Sequence, residues 1–198
     1  MSEDVYRMLE DLSKQMDEWS SFPKNLLVGY VFQDLITVVL DQAGYEVYPY
    51  GYESFLPAIK RKLYDREIRS SPILERVRFT PDILVYDRDG KFVQLVEVKS
   101  RATTFNGKYD IKEMDRYRKY WPESVLVLVV PQEPYLCAQR VSDLPHEETS
   151  FDHARDFVPI ESVFTRINWE AKRPFSRRLC LKLTTRLFAA FTWEGRIT

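Results

Sequence analysis

The chain is predicted to fold as an α/β protein: a central mixed β-sheet that carries a β-hairpin, flanked by helices, with extra helices at its N- and C-terminal ends. Three observations lead there. Residues 76 to 101 read RVRFTPDILVYDRDGKFVQLVEVKSR, two apolar runs around an Asp- and Gly-bearing turn signal, which is the pattern of a hairpin. Residues 124 to 131, SVLVLVVP, are a continuous apolar run of strand length, as expected of an interior strand buried on both faces and parallel to a neighbour. Before and after these runs, apolar residues recur at the three- and four-residue spacing of amphipathic helices.

Taken in order, residues 3 to 20 place Val5, Met8, Leu9, Leu12, Met16 and Trp19 on one helical stripe, suited to core packing or a subunit contact. Ser20 to Pro23 interrupts it, because a proline disfavours helix at the residue before it. A second helix is expected from about Lys24 to Gln42, burying Leu27, Val31, Leu35, Val38 and Val39 and ending at Gly44. Tyr45 to Tyr52 is aromatic and β-prone, with Pro49 marking an edge or an end. Its tyrosines, Tyr48, Tyr50 and Tyr52, suit strand packing or stacking on nucleobases. Residues 55 to 69 read as a basic helix. Across 54 to 78, seven bases (Lys60, Arg61, Lys62, Arg66, Arg69, Arg76, Arg78) meet three acids (Asp65, Glu67, Glu75), a balance that suits phosphate contact or a solvated helix face.

Beyond the hairpin, a polar loop leads into a helix from about Ile111 to Tyr120, and the apolar strand follows. Residues 132 to 155 are polar and acidic and read as a loop or small insertion. Phe157 to Phe164 and Ile167 to Trp169 are expected to add an edge element, and Arg173 to Trp193 a basic helix. One domain accounts for the 198 residues, with a core of about 24 to 131, an N-terminal helix over 1 to 20 and a C-terminal extension over 132 to 198.

Composition narrows the class. Hydrophobic residues make up 44%, enough for a sizeable core. The net charge of -1 is not that of a generally basic nucleic-acid binder, but the charge is unevenly placed. Residues 1 to 20 hold six acids against Arg7 and Lys14, while 171 to 198 hold seven bases against Glu194, which suits a local basic surface. Cys137 and Cys180 form no CxxC pair, so neither zinc nor an iron–sulfur cluster is expected. His146 and His153 stand in a polar stretch and read as surface residues. No signal peptide and no apolar run near membrane-spanning length appears, so a soluble protein is expected, cytoplasmic or host-intracellular and not secreted.

Along a strand, side chains alternate faces, so Val93, Leu95, Glu97 and Lys99 share one face of the second hairpin arm, as Asp82, Leu84 and Tyr86 do on the first. With the loop at Arg88 to Lys91, Asp82 lies across from Glu97. Two carboxylates at that spacing suit a hard divalent cation, and the nearby ammonium suits an anionic substrate or an oriented water. Pro81-Asp82, then fourteen residues, then Glu97-Val98-Lys99 resembles the signature of the PD-(D/E)xK nuclease superfamily, which includes restriction enzymes and Holliday-junction resolvases.

That resemblance implies a restriction endonuclease-like core with the hairpin as its catalytic element, and hydrolysis of phosphodiester bonds in DNA. It implies Mg²⁺ or Mn²⁺ held by Asp82, Glu97 and the carbonyl of Val98, with Lys99 orienting water or stabilising the transition state. The adjacent carboxylates should keep Lys99 protonated in the absence of metal. The superfamily's first core helix often carries a glutamate four residues after a glycine. Here Gly29 is followed at that spacing by Gln33, an uncharged residue able to hydrogen-bond a metal-bound water. Lys60, Arg61, Lys62, Lys108, Lys112 and Arg116 are candidate nucleic-acid contacts, with Arg118 also available. Cutting both strands of a duplex calls for two active sites, so a homodimer is expected. The missing helix carboxylate leaves an alternative, a catalytically weak or inactive nuclease-fold protein that serves as a nucleic-acid-binding or interaction scaffold.

Overall fold

The apolar runs assemble into a six-stranded mixed sheet covered by helices, an α/β fold. The computed structural model describes residues 21–51, 71–87, 89–100, 105–106, 108–130, 133–145, 150–151 and 153–169. The helices expected over 3–20, 55–69 and 173–193 lie outside the described residues. In chain order the elements are α1 (Ser21–Gln42), β1 (Tyr45–Pro49), α2 (Pro72–Arg78), β2 (Ile83–Asp87), β3 (Val93–Ser100), β4 (Phe105–Asn106), α3 (Lys108–Tyr120), β5 (Val125–Val129), β6 (Leu136–Arg140), β7 (Ser150–Phe151), α4 (His153–Asp156), β8 (Val158–Pro159) and α5 (Ile160–Val163). The large sheet runs β1-β2-β3-β5-β6-β8, and β4 pairs with β7 separately. Among the described residues only β3 and β5 run parallel within the large sheet. Parallel neighbours need a crossover, and α3 lies within it.

Each face of the sheet has its own apolar cluster. On one, Phe32, Leu35, Ile36, Val39 and Leu40 of α1 pack against Ile83, Val85, Val96, Val98, Val125 and Val127. On the other, Met114 and Tyr117 of α3 pack against Leu126, Leu128 and Cys137, with Phe79 beside them. Full burial of each such side chain contributes about 1.5–3 kcal/mol. Strand β5 is buried along its whole length because both clusters need it, and a continuous apolar run results.

The hairpin has the expected offset. Ile83 faces Val96 and Leu84 faces Leu95. At its tip the Asp87 N–H donates to the Phe92 carbonyl at 2.9 Å and the Gly90 N–H to the Asp87 carbonyl at 2.8 Å. Gly90 has φ 65°, which its lack of a Cβ permits. Arg166 fastens this tip from far along the chain. Its guanidinium pairs with Asp87 and, at 3.3 Å, with Asp89, and it donates to the Gly44 carbonyl at 3.4 Å. The Arg166 backbone N–H donates to the Tyr45 hydroxyl at 3.3 Å.

Several sequence expectations need correction. Val77 and Arg78 end α2 instead of opening the first hairpin arm, because Ser71-Pro72 starts a short helix with proline at its tolerated first positions. The described helix α1 includes Ser21 to Pro23, where an interruption was expected. Its buried stripe is Phe32, Leu35, Ile36, Val39 and Leu40, leaving Val38 41% exposed. Residues 132 to 155, expected as a loop or small insertion, contain β6, which lies beside β5 in the main sheet, so the sheet continues past Pro131. Among the described residues no helix is long and apolar enough to cross a membrane.

Candidate active site

Asp82 stands one residue before β2, where the strand pairing ends and backbone groups need other partners. Its carbonyl accepts the Tyr50 N–H at 2.8 Å and the Gly51 N–H at 3.0 Å. Its carboxylate Oδ2 accepts the Val98 N–H at 2.8 Å. The hairpin offset, extended by one residue, sets Asp82 level with Glu97. Three backbone donors thus fix where this carboxylate sits.

Glu97 and Lys99 project from the face of β3 opposite Val96 and Val98, toward α3. Glu97 is only 3% exposed. Its Oε1 pairs with Lys99 Nζ at 2.7 Å, while its buried Oε2 has no hydrogen-bond partner. A buried carboxylate oxygen without a donor is costly, and packing alone gives no reason to keep one.

Lys99 is held on its other side by Glu113 of α3, Nζ to Oε1 at 3.0 Å. The ammonium also lies 5.7 Å from the centre of the Tyr117 ring. Burial alone would lower the lysine pKa, but the carboxylates of Glu97, Glu113 and Asp82 outweigh it and hold the group well above its ordinary range. Lys99 is therefore a fixed cation at neutral pH, as the sequence led us to expect. Burial, followed by the charges of Glu97 and Asp82, a hydrogen bond to the Glu97 carboxylate and the charge of Glu113, likewise pushes the Tyr117 phenol well above its usual range. Tyr117 stays a neutral hydroxyl and roofs the group.

The structure thus brings Asp82, Glu97 and Lys99 together on one face. Gln33 belongs to α1, which packs on the Val96 and Val98 face. The hydrogen bond described for it is the Thr37 hydroxyl donating to its backbone carbonyl at 3.0 Å. Among the described residues no contact joins Gln33 to the other three. Val98 is 9% exposed, with its side chain in the apolar cluster and its N–H given to Asp82. Lys60, Arg61 and Lys62 lie outside the described residues. Lys108 opens α3, and Lys112 is exposed on that helix. Arg116 is exposed but engaged, 3.5 Å from Glu75 and 5.1 Å from the centre of the Phe79 ring.

Arg118 proves structural instead of available for substrate. Its side chain is 8% exposed, pairs with Asp115 at 2.6 Å and donates to the Leu144 and Pro145 carbonyls. Sequence reasoning missed Glu113 and Tyr117. They stand four apart on the helix that returns across β3, flanking the buried Met114, and that spacing was the available signal.

Comparison with solved structures gives likenesses to known folds. The solved structure of Hjc, a Holliday junction resolvase from the archaeal hyperthermophile Archaeoglobus fulgidus, is 17% identical, with 69% of this chain and 98% of that chain covered and a TM-score of 0.42. No protein-family model and no curated protein sequence matches the chain.

The site's donors fit a hard cation in part. Among the described residues no group of three or more His, Cys, Asp or Glu is arranged to hold a metal ion. Asp82 and Glu97 still offer two carboxylates level with each other on the two hairpin arms, and the partnerless Glu97 Oε2 is an oxygen that a divalent ion would satisfy.

Proposed function

We propose that the chain is a nuclease of the PD-(D/E)xK type that hydrolyses phosphodiester bonds in DNA with Mg²⁺ or Mn²⁺. The observation that carries this reading is the buried Glu97 carboxylate, with one oxygen on Lys99 and one without a partner, level with Asp82. Asp82 and Glu97 would hold the metal, with the Val98 carbonyl as a further oxygen donor. When bound, such an ion lowers the pKa of water and offsets charge growing on the phosphate.

The chain's own groups divide the remaining work. Lys99, kept protonated, cannot take a proton from water; it orients the attacking water or a phosphate oxygen and stabilises negative charge. Glu113 steadies the ammonium from the α3 side, and Tyr117 shields the group from solvent. A homodimer would present two such sites to a duplex, and light scattering that gives a monomer at every concentration removes that part. The test of the activity is cutting of labelled linear, nicked, branched and single-stranded DNAs with Mg²⁺ or Mn²⁺ by the wild type, Asp82→Ala and Lys99→Ala. Cleavage abolished in both variants supports the reading, and cleavage that survives in both overturns it.

A second reading, a nucleic-acid-binding or interaction scaffold without turnover, draws on the position of Gln33, whose helix packs on the opposite face, and on the occupation of Lys99 by two carboxylates. Calorimetry separates the two. The scaffold binds neither Mg²⁺ nor Mn²⁺ in a manner that Asp82→Ala abolishes.

A further inference from the structure

Beside the carboxylate site lies a patch in which cations rest on aromatic rings. Arg76 sits 5.0 Å from the centre of the Trp121 ring. Arg78 and Arg116 both lie against Phe79, at 5.7 and 5.1 Å, and Lys119 lies 4.7 Å from the Tyr120 ring. All four cations are exposed. Glu75 is the acid among them, accepting from the Tyr120 hydroxyl at 2.5 Å and lying 3.5 Å from Arg116 and 3.7 Å from Lys119. Arg76 and Arg78 make no ion pair among the described residues. Rings, not carboxylates, hold these two guanidiniums, so their hydrogen-bonding edges remain for an outside acceptor.

The patch is physically continuous with the site. Phe79 packs edge-on against Tyr117 at 5.5 Å, and the Tyr117 ring lies against the Lys99 ammonium. Along the chain, Phe79 is three residues before Asp82, and Arg116 is three residues after Glu113 on α3. An anion that spans several charges can therefore touch the arginines and the carboxylate site together.

We propose that Arg76, Arg78, Arg116 and Lys119 seat the sugar–phosphate backbone of a nucleic-acid strand leading into the Asp82–Glu97 site. The seat recognises phosphate and not base sequence: its contacts are four exposed cations, and the rings they rest on are buried (Phe79) or partly buried (Tyr120 and Trp121). This places the main backbone contact on α2 and the end of α3. The inference rests on the nuclease reading for what happens next to the strand, while its own claim concerns binding alone.

The experiment is fluorescence anisotropy of a labelled DNA duplex and a labelled single strand with the full chain, in EDTA, across a range of NaCl concentrations. Replacing both arginines, Arg76→Ala with Arg78→Ala, is expected to reduce the slope of log affinity against log salt by about 1 per arginine and weaken binding about tenfold near 0.1 M salt. Arg76→Lys with Arg78→Lys should keep most of the slope. If the alanine variant melts early, Arg76→Gln with Arg78→Gln retains the side-chain stems and takes its place.

Unchanged affinity and slope in the double variant overturn the proposal, as does a wild type that binds neither oligonucleotide. Arginine-dependent binding to phosphatidylserine vesicles without binding to DNA assigns the patch to a lipid surface instead. Failure of the nuclease reading shows separately, as an absence of metal-dependent cutting while the anisotropy results stand.

Discussion

The two faces of β3 solve the problem of burial in opposite ways. Val96 and Val98 are 0% and 9% exposed and belong to the apolar cluster that α1 covers. Glu97, 3% exposed on the other face, pairs with the Lys99 ammonium, which Glu113 of α3 holds from its other side. The alternation of a strand puts these environments within one residue of each other. A dry face is explained by its packing, whereas a charged one with an unsatisfied oxygen asks for a ligand.

The largest expected effect tests the dry face. Phe32→Ala, at a fully buried position, should lower stability by about 3–5 kcal/mol in urea unfolding while leaving divalent-ion binding per folded molecule unchanged. Loss of ion binding in the folded fraction would erase the distinction between the faces.

On the charged face, Lys99→Met should cost about 3 kcal/mol, because it leaves a buried carboxylate without its partner. Its pH signature separates it from a packing defect. The folded pKa of Lys99 is raised, so above the ordinary lysine value of about 10.4 the unfolded chain loses a proton that the folded chain keeps. The stability from Lys99 is full below that value and falls as pH rises through the folded pKa. The Lys99→Met variant should therefore show a flatter alkaline limb than the wild type.

Glu97→Gln sharpens the contrast further. Stability without metal should fall by about 2 kcal/mol, since the amide keeps an oxygen for Lys99 but loses the charge of that buried pair, while Glu113 still holds the ammonium. Mg²⁺ at about 100 times its Kd should stabilise the wild type by about 2.7 kcal/mol and this variant not at all, as thermal unfolding with and without the ion would show. The smallest effect belongs to the rim. Glu113→Gln should cost about 1 kcal/mol and slow metal-dependent cutting without abolishing metal binding, by loosening the ammonium.

Legibility in the sequence followed the same division. The hairpin offset, the interior strand Val125–Val129 and the shared face of Asp82, Glu97 and Lys99 were readable because each depends on a period of two over a few adjacent residues. Strand β6 was not, because LCAQR is short and its burial is decided by pairing with β5 and not by its own pattern. The α1 stripe was misread by one position for a related reason: a helix dense in Val, Leu and Ile offers several plausible faces, and only the partner sheet selects among them. Glu113 and Tyr117 stand four apart on α3, a spacing that could be read, but that this stretch of the helix meets the site is decided by the return path of α3 over the sheet.

Arg166 places a late segment of the chain in charge of an early one. Its backbone N–H reaches Tyr45 across 121 positions in sequence, and its guanidinium holds the hairpin tip at Asp87 and Asp89. Loop closure over such a span carries a large entropic cost before any contact rewards it. During synthesis the hairpin can pair with β1 as soon as its two arms emerge, Tyr45 opposite Asp87, whereas the ionic clasp on its tip closes only once Arg166 has been made. The last fastening of the hairpin thus waits for a segment that follows every described strand of the sheet.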